Sequence, residues 1–171
     1  MEDFLSLGKL DEGRISTDPS EFKLPEMIAE TLGEVKVVLK PGQKFNFKYE
    51  GEEKISADKK LLRNILINLI SNAAKFSEVD TPITISAKSE NETNTITVTD
   101  KGIGISAKDQ EHLFTMFYRA SNVTNIQGTG LGLHIVKRYL DLINGTVNLQ
   151  STLGKGTSIT ITFPNINNNN S

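Results

Sequence analysis

The segment from Asp58 to Phe76 constrains the fold more than any other part of the sequence. Its apolar residues recur every three or four positions, which predicts one long amphipathic helix with Asp58 as the N-cap. A helix with one apolar face must bury that face against another layer, so the rest of the chain has to supply one. The predicted buried stripe contains Leu62, Ile65, Leu66, Leu69, Ile70 and Ala73.

Segments with alternating apolar and polar residues supply that second layer. The alternation predicts strands at 45–50, 83–87, 95–99, 146–151 and 157–163. Further helices are predicted at 25–35, near 107–113 and at 130–144, and residues 16–21 are interpreted as a polar connector. We therefore predict an α/β fold: a two-layer α/β sandwich whose mixed, mostly antiparallel sheet is covered on one face by helices.

Composition excludes several classes of protein. The 171 residues suit one domain, and 19 basic against 21 acidic residues give a net charge of −2, which disfavours a nucleic-acid or membrane-surface role. No apolar run is long enough to cross a bilayer, and no secretion signal is present. With no cysteine and two histidines, a thiolate or multi-histidine metal site is not expected, and a cytoplasmic location is.

A stripe of asparagines is the first candidate site. Asn64, Asn68, Asn72 and Lys75 recur about every four residues and so share one face of the predicted helix. Asparagine is a mediocre helix former, which suggests a specific role for these residues. The amide oxygens could hold a hard cation such as Mg²⁺ and Lys75 could meet phosphate, although a solvated polar face fits the same pattern.

Asp100 and the two glycines after it are the second candidate. Alternation along 95–99 places Asp100 on the same face as Ile96 and Val98, toward the core. A carboxylate there needs a donor partner, which the amino group of a ligand could provide. Gly102 and Gly104 would let the backbone approach that ligand closely. An ordinary turn aspartate at the end of a strand is the alternative.

Three further segments carry weaker signals. Residues 128–133, with glycine at 128, 130 and 132, precede a predicted helix, and a helix N-terminus reached through a glycine loop favours anions. Arg119 ends an aromatic cluster at 113–119 and could reach phosphate. Thr157 is predicted to share the core face with Ile159, after the turn at 154–156. A flexible turn, a small apolar cluster and a simple hairpin explain these segments equally well.

The order and spacing of these motifs resemble the catalytic, ATP-binding domain of bacterial sensor histidine kinases. That family is part of a superfamily with gyrase, heat-shock chaperones and mismatch-repair proteins. Residues 68–77 resemble its N box, 100–104 its G1 box, 114–119 its F box, 128–133 its G2 box and 154–157 its last glycine motif. The resemblance covers about 22–164 and implies ATP or ADP and Mg²⁺ as cofactors, with a mobile lid over the nucleotide between Ser106 and Gly128.

The resemblance also implies roles for individual residues. It makes Asn72 the magnesium ligand, places Asn68 near the phosphates and gives Lys75 a phosphate contact. Phe76 would pack on adenine, and Asp100 would accept a hydrogen bond from the adenine amino group. Gly102 and Gly104 would lie beside the purine, and Thr157 would contact the base. Arg119 would reach the γ-phosphate. The segment around the triphosphate would consist of Gly128, Thr129, Gly130, Leu131 and Gly132.

Asn68 favours the histidine-kinase branch of this superfamily. Hydrolytic members and serine kinases typically carry glutamate there as a base, whereas an amide is a poor proton acceptor and imidazole is already a competent nucleophile. We therefore expect transfer of the γ-phosphoryl group to a histidine. An ATPase or serine kinase of the superfamily, or a nucleotide-binding module without transfer activity, are the alternatives.

The resemblance divides the chain into three parts and implies partners. Residues 1–15 resemble the end of the second helix of a dimerisation and phosphoacceptor domain, 16–164 form the catalytic domain, and 165–171 are predicted to be disordered. Neither His112 nor His134 lies in a phosphoacceptor motif, so we expect a separate phosphoacceptor domain and, in the intact system, a response regulator. The chain itself is expected to be monomeric, with no nucleic-acid partner.

Overall fold

The computed structural model of the chain describes residues 17–110 and 132–166. The strands are β1 (Ser20–Lys23), β2 (Lys44–Gly51), β3 (Lys54–Ala57), β4 (Pro82–Glu90), β5 (Thr93–Asp100), β6 (Thr146–Thr152) and β7 (Gly156–Pro164). The helices are α1 (Leu24–Val35), α2 (Lys59–Phe76), α3 (Ala107–Gln110) and α4 (Gly132–Leu142), and a 3-10 helix spans Lys36–Val38. Within this part of the chain, no helix is long and apolar enough to cross a membrane.

Five strands form one mixed sheet in the order β2-β4-β5-β7-β6. β2 runs parallel to β4, and the other three neighbouring pairs are antiparallel. A two-residue turn joins β4 to β5, and both of its residues, Asn91 and Glu92, have positive φ (53° and 61°), the geometry that twisted hairpins prefer. The mixed, mostly antiparallel sheet predicted from the sequence is confirmed.

The two faces of this sheet differ as the alternation predicts. Ile85, Ile96 and Ile161 point to one face and are fully buried, whereas the hydroxyl groups of Thr97 and Thr160 lie 2.9 Å apart on the half-buried opposite face. Helix α2 contacts both α1 and α4 and, with them, covers the apolar face. The two-layer α/β sandwich is therefore confirmed for the part of the chain that the structure describes, whereas residues 111–128 of the predicted lid lie outside it.

A second, two-stranded sheet was not predicted. β1 pairs antiparallel with β3, so part of the supposed polar connector is a strand. The Leu24 amide, at the start of α1, donates to the Glu53 carbonyl at 2.8 Å. This hydrogen bond continues the pairing of the two strands as far as α1. Strands of four residues are at the lower limit of length at which period-2 alternation can be recognised. Because β3 leads directly into Asp58, this small sheet fixes the start of α2.

The chain after β7 corrects the predicted disorder of the tail at its first two positions. The Asn165 amide donates to the Glu92 carbonyl at 2.8 Å, and the Ile166 amide donates to the Ser56 carbonyl at 2.8 Å. The Asn165 side chain also accepts a hydrogen bond from Asn94 Nδ2 at 2.9 Å. Backbone pairing and a buried asparagine thus order residues 165 and 166, while 167–171 and the predicted helix remnant at 1–15 lie outside the described residues.

Candidate functional site

Helix α2 is the platform of the candidate site. Asp58 caps it as predicted: Oδ1 accepts from the Leu61 amide at 3.0 Å, and Oδ2 accepts from the Asp18 amide at 2.7 Å. The predicted apolar stripe, from Leu62 to Ala73, is buried throughout. Because the core holds this face, the opposite side of α2 has a fixed orientation.

The asparagine stripe occupies that opposite side. Asn64, Asn68, Asn72 and Lys75 are all half-buried, which is more enclosure than a fully solvated polar face would have. Asn68 Nδ2 donates to the Asn64 carbonyl at 3.0 Å, one turn earlier. Because one of its two N–H groups is used within the helix, the second N–H and the amide oxygen of Asn68 remain for a ligand.

The residues present fit a magnesium ion that arrives with a phosphate ligand. Across residues 17–110 and 132–166, no group of three or more histidine, cysteine, aspartate or glutamate side chains could hold a metal. Magnesium takes oxygen ligands, keeps several waters and shares phosphate oxygens with one or two protein groups. The half-buried amide of Asn72 suits that coordination, whereas an all-protein metal cage is absent from this part of the chain.

The last turn of α2 carries Lys75 and Phe76. The Lys75 ammonium lies 5.7 Å from the centre of the Phe76 ring, within the range of a cation–π contact. The Phe76 carbonyl accepts from the Ile103 amide at 3.3 Å, and Ser77 forms an isolated β-bridge with Gly102. The end of the asparagine helix is therefore joined directly to the turn that follows Asp100.

Asp100 is the most perturbed ionisable group in this region. Burial raises its pKa from 3.8 to about 6, and hydrogen bonds from the backbone amides of Gly102 and Thr157 offset part of that increase. Its Oδ1 accepts from the Gly102 amide at 2.9 Å. These two amides use about half of the roughly four acceptor positions of a carboxylate, which leaves acceptor capacity for a ligand. A strongly shifted carboxyl group in such a place marks a candidate binding residue.

The glycines after Asp100 are required by the protein's own backbone. A Cβ at position 102 would lie 2.3 Å from the Phe76 carbonyl oxygen, and one at position 104 would lie 2.1 Å from the Thr152 carbonyl oxygen. Gly104 also has a φ of +72°, which side chains disfavour. Close packing of this turn against α2 and β6 therefore explains both glycines, and the approach of a purine to them stays a prediction.

Thr157 lies beside Asp100 on β7 and faces the core as predicted. The two residues are paired in the β5–β7 register, and Thr157 is buried. Its hydroxyl oxygen is 2.8 Å from Ser151 Oγ, which also accepts from the Ile105 amide at 2.8 Å and donates to the Gly156 carbonyl at 2.9 Å. Ser151 thus links Thr157 to the turn that follows Asp100.

The sequence did not indicate three residues: Ser151, and Lys40 and Gln43, whose side chains contact the C-terminal end of α2. Alternation along β6 places Ser151 on the core face with Val147 and Leu149, and a polar residue there was an available signal. Gln43 is buried beside the carbonyl groups that end α2. Nothing in the local sequence around Lys40 and Gln43 indicates that contact.

The structure brings part of the predicted site together. The end of α2 with Phe76, the turn with Gly102 and Gly104, and the pair Asp100 and Thr157 are joined by the contacts above. Other predicted residues lie outside the described part of the chain: Arg119, Gly128, Thr129, Gly130 and Leu131. Gly132 lies in α4, the helix that the sequence predicts to begin near residue 130.

Comparison with known proteins gives one family. Residues 57–167 match the family model described as histidine kinase-, DNA gyrase B-, and HSP90-like ATPase. The chain is 31% identical over 170 residues to the circadian input-output histidine kinase CikA of Synechococcus elongatus, covering 96% of this chain and 22% of that protein. It is 36% identical over 115 residues to the histidine protein kinase DivJ of Caulobacter vibrioides, covering 67% of this chain and 19% of that protein.

Solved structures agree on the fold. Full-length ShkA in complex with AMPPNP superposes with a TM-score of 0.83 and 23% identity, covering 96% of this chain and 35% of that one. At this identity the likeness concerns the fold alone. The chain spans about a fifth of the length of the two curated relatives, 22% and 19%.

Proposed function

Because the chain belongs to the histidine kinase-, DNA gyrase B- and HSP90-like ATPase family, we propose that it is the ATP-binding catalytic domain of a sensor histidine kinase. In the proposed reaction a histidine nitrogen on a separate dimerisation domain forms a bond to the γ-phosphorus of ATP. The bond from that phosphorus to the β,γ-bridging oxygen breaks, and ADP leaves. The observation that carries the proposal is the half-buried Asp100 carboxylate, whose pKa burial raises to about 6 and which lies next to the turn that is joined to the end of α2.

Asp100 would select the base. One carboxylate oxygen is held by the Gly102 amide at 2.9 Å, and its remaining acceptor capacity suits the amino group of adenine. Guanine carries a carbonyl oxygen at that ring position and would face the carboxylate with a second acceptor. Phe76 would pack on the base, and Thr157 would contact it through its hydroxyl group or a water. We therefore propose selectivity for adenine nucleotides.

The α2 stripe would hold the phosphates. Asn72 would supply the amide oxygen for magnesium, which when bound neutralises charge on the phosphate oxygens. Lys75 would contact phosphate as a point charge, and Asn68 would lie next to it. Arg119 and the segment from Gly128 to Gly132 would complete this side of the site. Catalysis would consist mainly of positioning and charge neutralisation, as phosphoryl transfer requires.

Asn68 distinguishes transfer from hydrolysis. Its side chain is a neutral amide, which is too weak a base to take a proton from water. We expect ATP hydrolysis by the purified chain to be very slow. Steady multiple turnover that disappears in Asn72→Ala would instead indicate an ATPase of the same superfamily.

Transfer of labelled phosphate tests the proposal directly. The purified chain would be mixed with γ-labelled Mg-ATP and a purified dimeric phosphoacceptor domain from a sensor histidine kinase. We expect acid-labile, base-stable label on that domain, and none on a control domain whose phosphoacceptor histidine is replaced by alanine. Tight ATP binding without transfer to several such domains would favour a nucleotide-binding module and contradict the kinase proposal.

Location, oligomeric state and partners are part of the same proposal. We propose a cytoplasmic, monomeric catalytic unit whose direct partner is the phosphoacceptor domain, with a response-regulator aspartate receiving the phosphoryl group afterwards. The lack of cysteine fits a reducing compartment, and the net charge of −2 gives no support to nucleic-acid binding. Light scattering over a concentration series would test the monomer.

A further inference from the structure

Two side chains from a distant segment close the C-terminal end of α2. Lys40 Nζ donates to the carbonyl groups of Lys75 at 2.8 Å and Ser77 at 2.6 Å. Gln43 Nε2 shares its two N–H groups among the carbonyl groups of Ala74 at 3.1 Å, Ser77 at 3.3 Å and Glu78 at 3.1 Å. Both residues precede β2 and lie more than 30 positions away from their partners. We name Lys40 and Gln43 together the α2 clamp.

The clamp satisfies groups that every helix leaves open. The last four carbonyl groups of an α-helix have no partner within the helix. Here the clamp takes those of Ala74 and Lys75, the Ser77 hydroxyl donates to the Ala73 carbonyl at 2.6 Å, and the Ile103 amide donates to the Phe76 carbonyl. The Lys40 ammonium also lies at the negative end of the helix dipole, where a cation is favoured.

The clamp is rigid because its own groups are fixed. Gln43 is buried, with 7% of its surface exposed, and its Oε1 accepts from the Lys40 amide at 2.8 Å. The Gln43 amide therefore has one orientation: a flipped group would set its oxygen against three carbonyl oxygens. Lys40 is half-buried, so its ammonium group is partly shielded from water. Five contacts from these two residues thus hold four carbonyl groups, two in the last turn of α2 (Ala74 and Lys75) and two directly after it (Ser77 and Glu78).

The clamped turn is the one that carries the proposed base and phosphate contacts. Lys75 and Phe76 are its last helical residues, and Ser77, a shared partner of Lys40 and Gln43, bridges to Gly102 beside Asp100. We propose that Lys40 and Gln43 are positioning residues of the nucleotide site, which set the Phe76 ring and the Lys75 ammonium relative to Asp100. This inference rests on the proposed function, because it concerns the same site.

Gln43→Met tests the proposal, because methionine keeps the length of the side chain and removes every donor. The affinity for Mg-ADP would be measured by calorimetry on the 171-residue chain, at a temperature where circular dichroism shows the variant folded. We expect the affinity to fall at least tenfold. An affinity within twofold of the unaltered chain would overturn the proposal.

Ser89→Ala is the matched control for a general loss of stability. Ser89 Oγ donates to the buried Asn94 Oδ1 at 2.7 Å, so this variant also loses a buried side-chain hydrogen bond. Asn94 lies at the opposite end of β5 from Asp100, six residues or about 20 Å away. We expect Mg-ADP affinity within twofold of the unaltered chain. An equal loss of affinity in Ser89→Ala and Gln43→Met would overturn the positioning role.

Lys40 provides a second variant if Gln43→Met does not fold. Lys40→Met should weaken Mg-ADP binding at least fivefold, and Lys40→Arg, which keeps a cation and donors, should restore most of it. Lys40→Met with unchanged affinity, or Lys40→Arg as weak as Lys40→Met, would overturn the proposal. Failure of the unaltered chain to bind Mg-ADP would overturn the proposed function itself, a result distinct from these.

Discussion

The charge on Asp100 should destabilise the nucleotide-free protein, and Asp100→Asn should remove this destabilisation. Burial raises the pKa of Asp100 from 3.8 to about 6. Since one pKa unit corresponds to about 1.36 kcal/mol, the ionised carboxylate lowers the free energy of unfolding by about 3 kcal/mol at pH 8. Asparagine has the size of aspartate and keeps one acceptor oxygen, but the hydrogen bonds that the side chain accepts are weaker by about 1 kcal/mol. The variant should therefore be more stable by about 2 kcal/mol at pH 8.

The pH dependence has a definite sign. The folded state binds the Asp100 proton more tightly than the unfolded state, so the contribution of Asp100 to the stability of the wild type falls as pH rises from 3.8 to about 6. Asparagine does not titrate. The free energy of unfolding of the variant minus that of the wild type should thus increase by about 2 kcal/mol between pH 4.5 and pH 8.

Urea denaturation followed by circular dichroism at several pH values measures this difference. The other carboxyl groups titrate in both proteins and cancel when the two curves are subtracted, provided that the m-values agree. A difference that stays constant to within about 0.5 kcal/mol, or that decreases toward pH 8, would refute the reasoning. In that case Asp100 would be solvated or paired, and the argument for a buried acceptor would fail.

Three other substitutions test how the site is built. Asp58→Ala removes the cap of α2 and the acceptor for the Asp18 amide, and should lower the free energy of unfolding by about 2 kcal/mol; a loss below about 0.5 kcal/mol in urea would contradict this. Gly104→Ala, with φ at +72° and a backbone clash, should cost at least about 2 kcal/mol in the same assay. Gly33→Ala, in open space on α1, should instead stabilise by about 0.5–1 kcal/mol; equal effects of the two alanines would disprove the backbone argument.

The elements that the sequence predicted are those with long, regular patterns. Helix α2 was recognisable because its length of 18 residues, its regular apolar spacing and its aspartate N-cap all indicate the same helix. The alternating strands β4, β5 and β7 were recognisable because one face of the sheet is buried and the other is polar. Local patterns predict structure well where each residue's environment follows from its position within one element.

The parts that were missed depend on contacts between distant segments. β1 and β3 have four residues each and exist because they pair with each other. Asn165 is ordered by Asn94, 71 positions earlier in the chain. The residues Lys40 and Gln43 recognise carbonyl groups, which every residue possesses, so no side-chain pattern at 74–78 indicates them.

The candidate site likewise contains residues that a local pattern predicts and residues that only distant contacts explain. Asp100, Thr157 and the asparagine stripe follow from the periods of a strand and a helix, and the structure places Asp100 and Thr157 side by side. The reason for Gly102 and Gly104 could not be derived from the sequence. The sequence predicted room for a ligand, whereas the structure shows carbonyl oxygens from α2 and β6 where a Cβ would be.

Calorimetric titration of ATP into the purified chain, with and without magnesium, tests the central claim most directly when Asp100→Asn is run beside it. We expect the chain to bind ATP, and magnesium to strengthen that binding. We also expect at least a tenfold loss in Asp100→Asn, because the Gly102 amide holds the one remaining oxygen and the new NH₂ group faces the adenine amino group, donor against donor. No binding by the folded chain, or equal binding by the variant, would contradict the assignment of this site to adenine nucleotides.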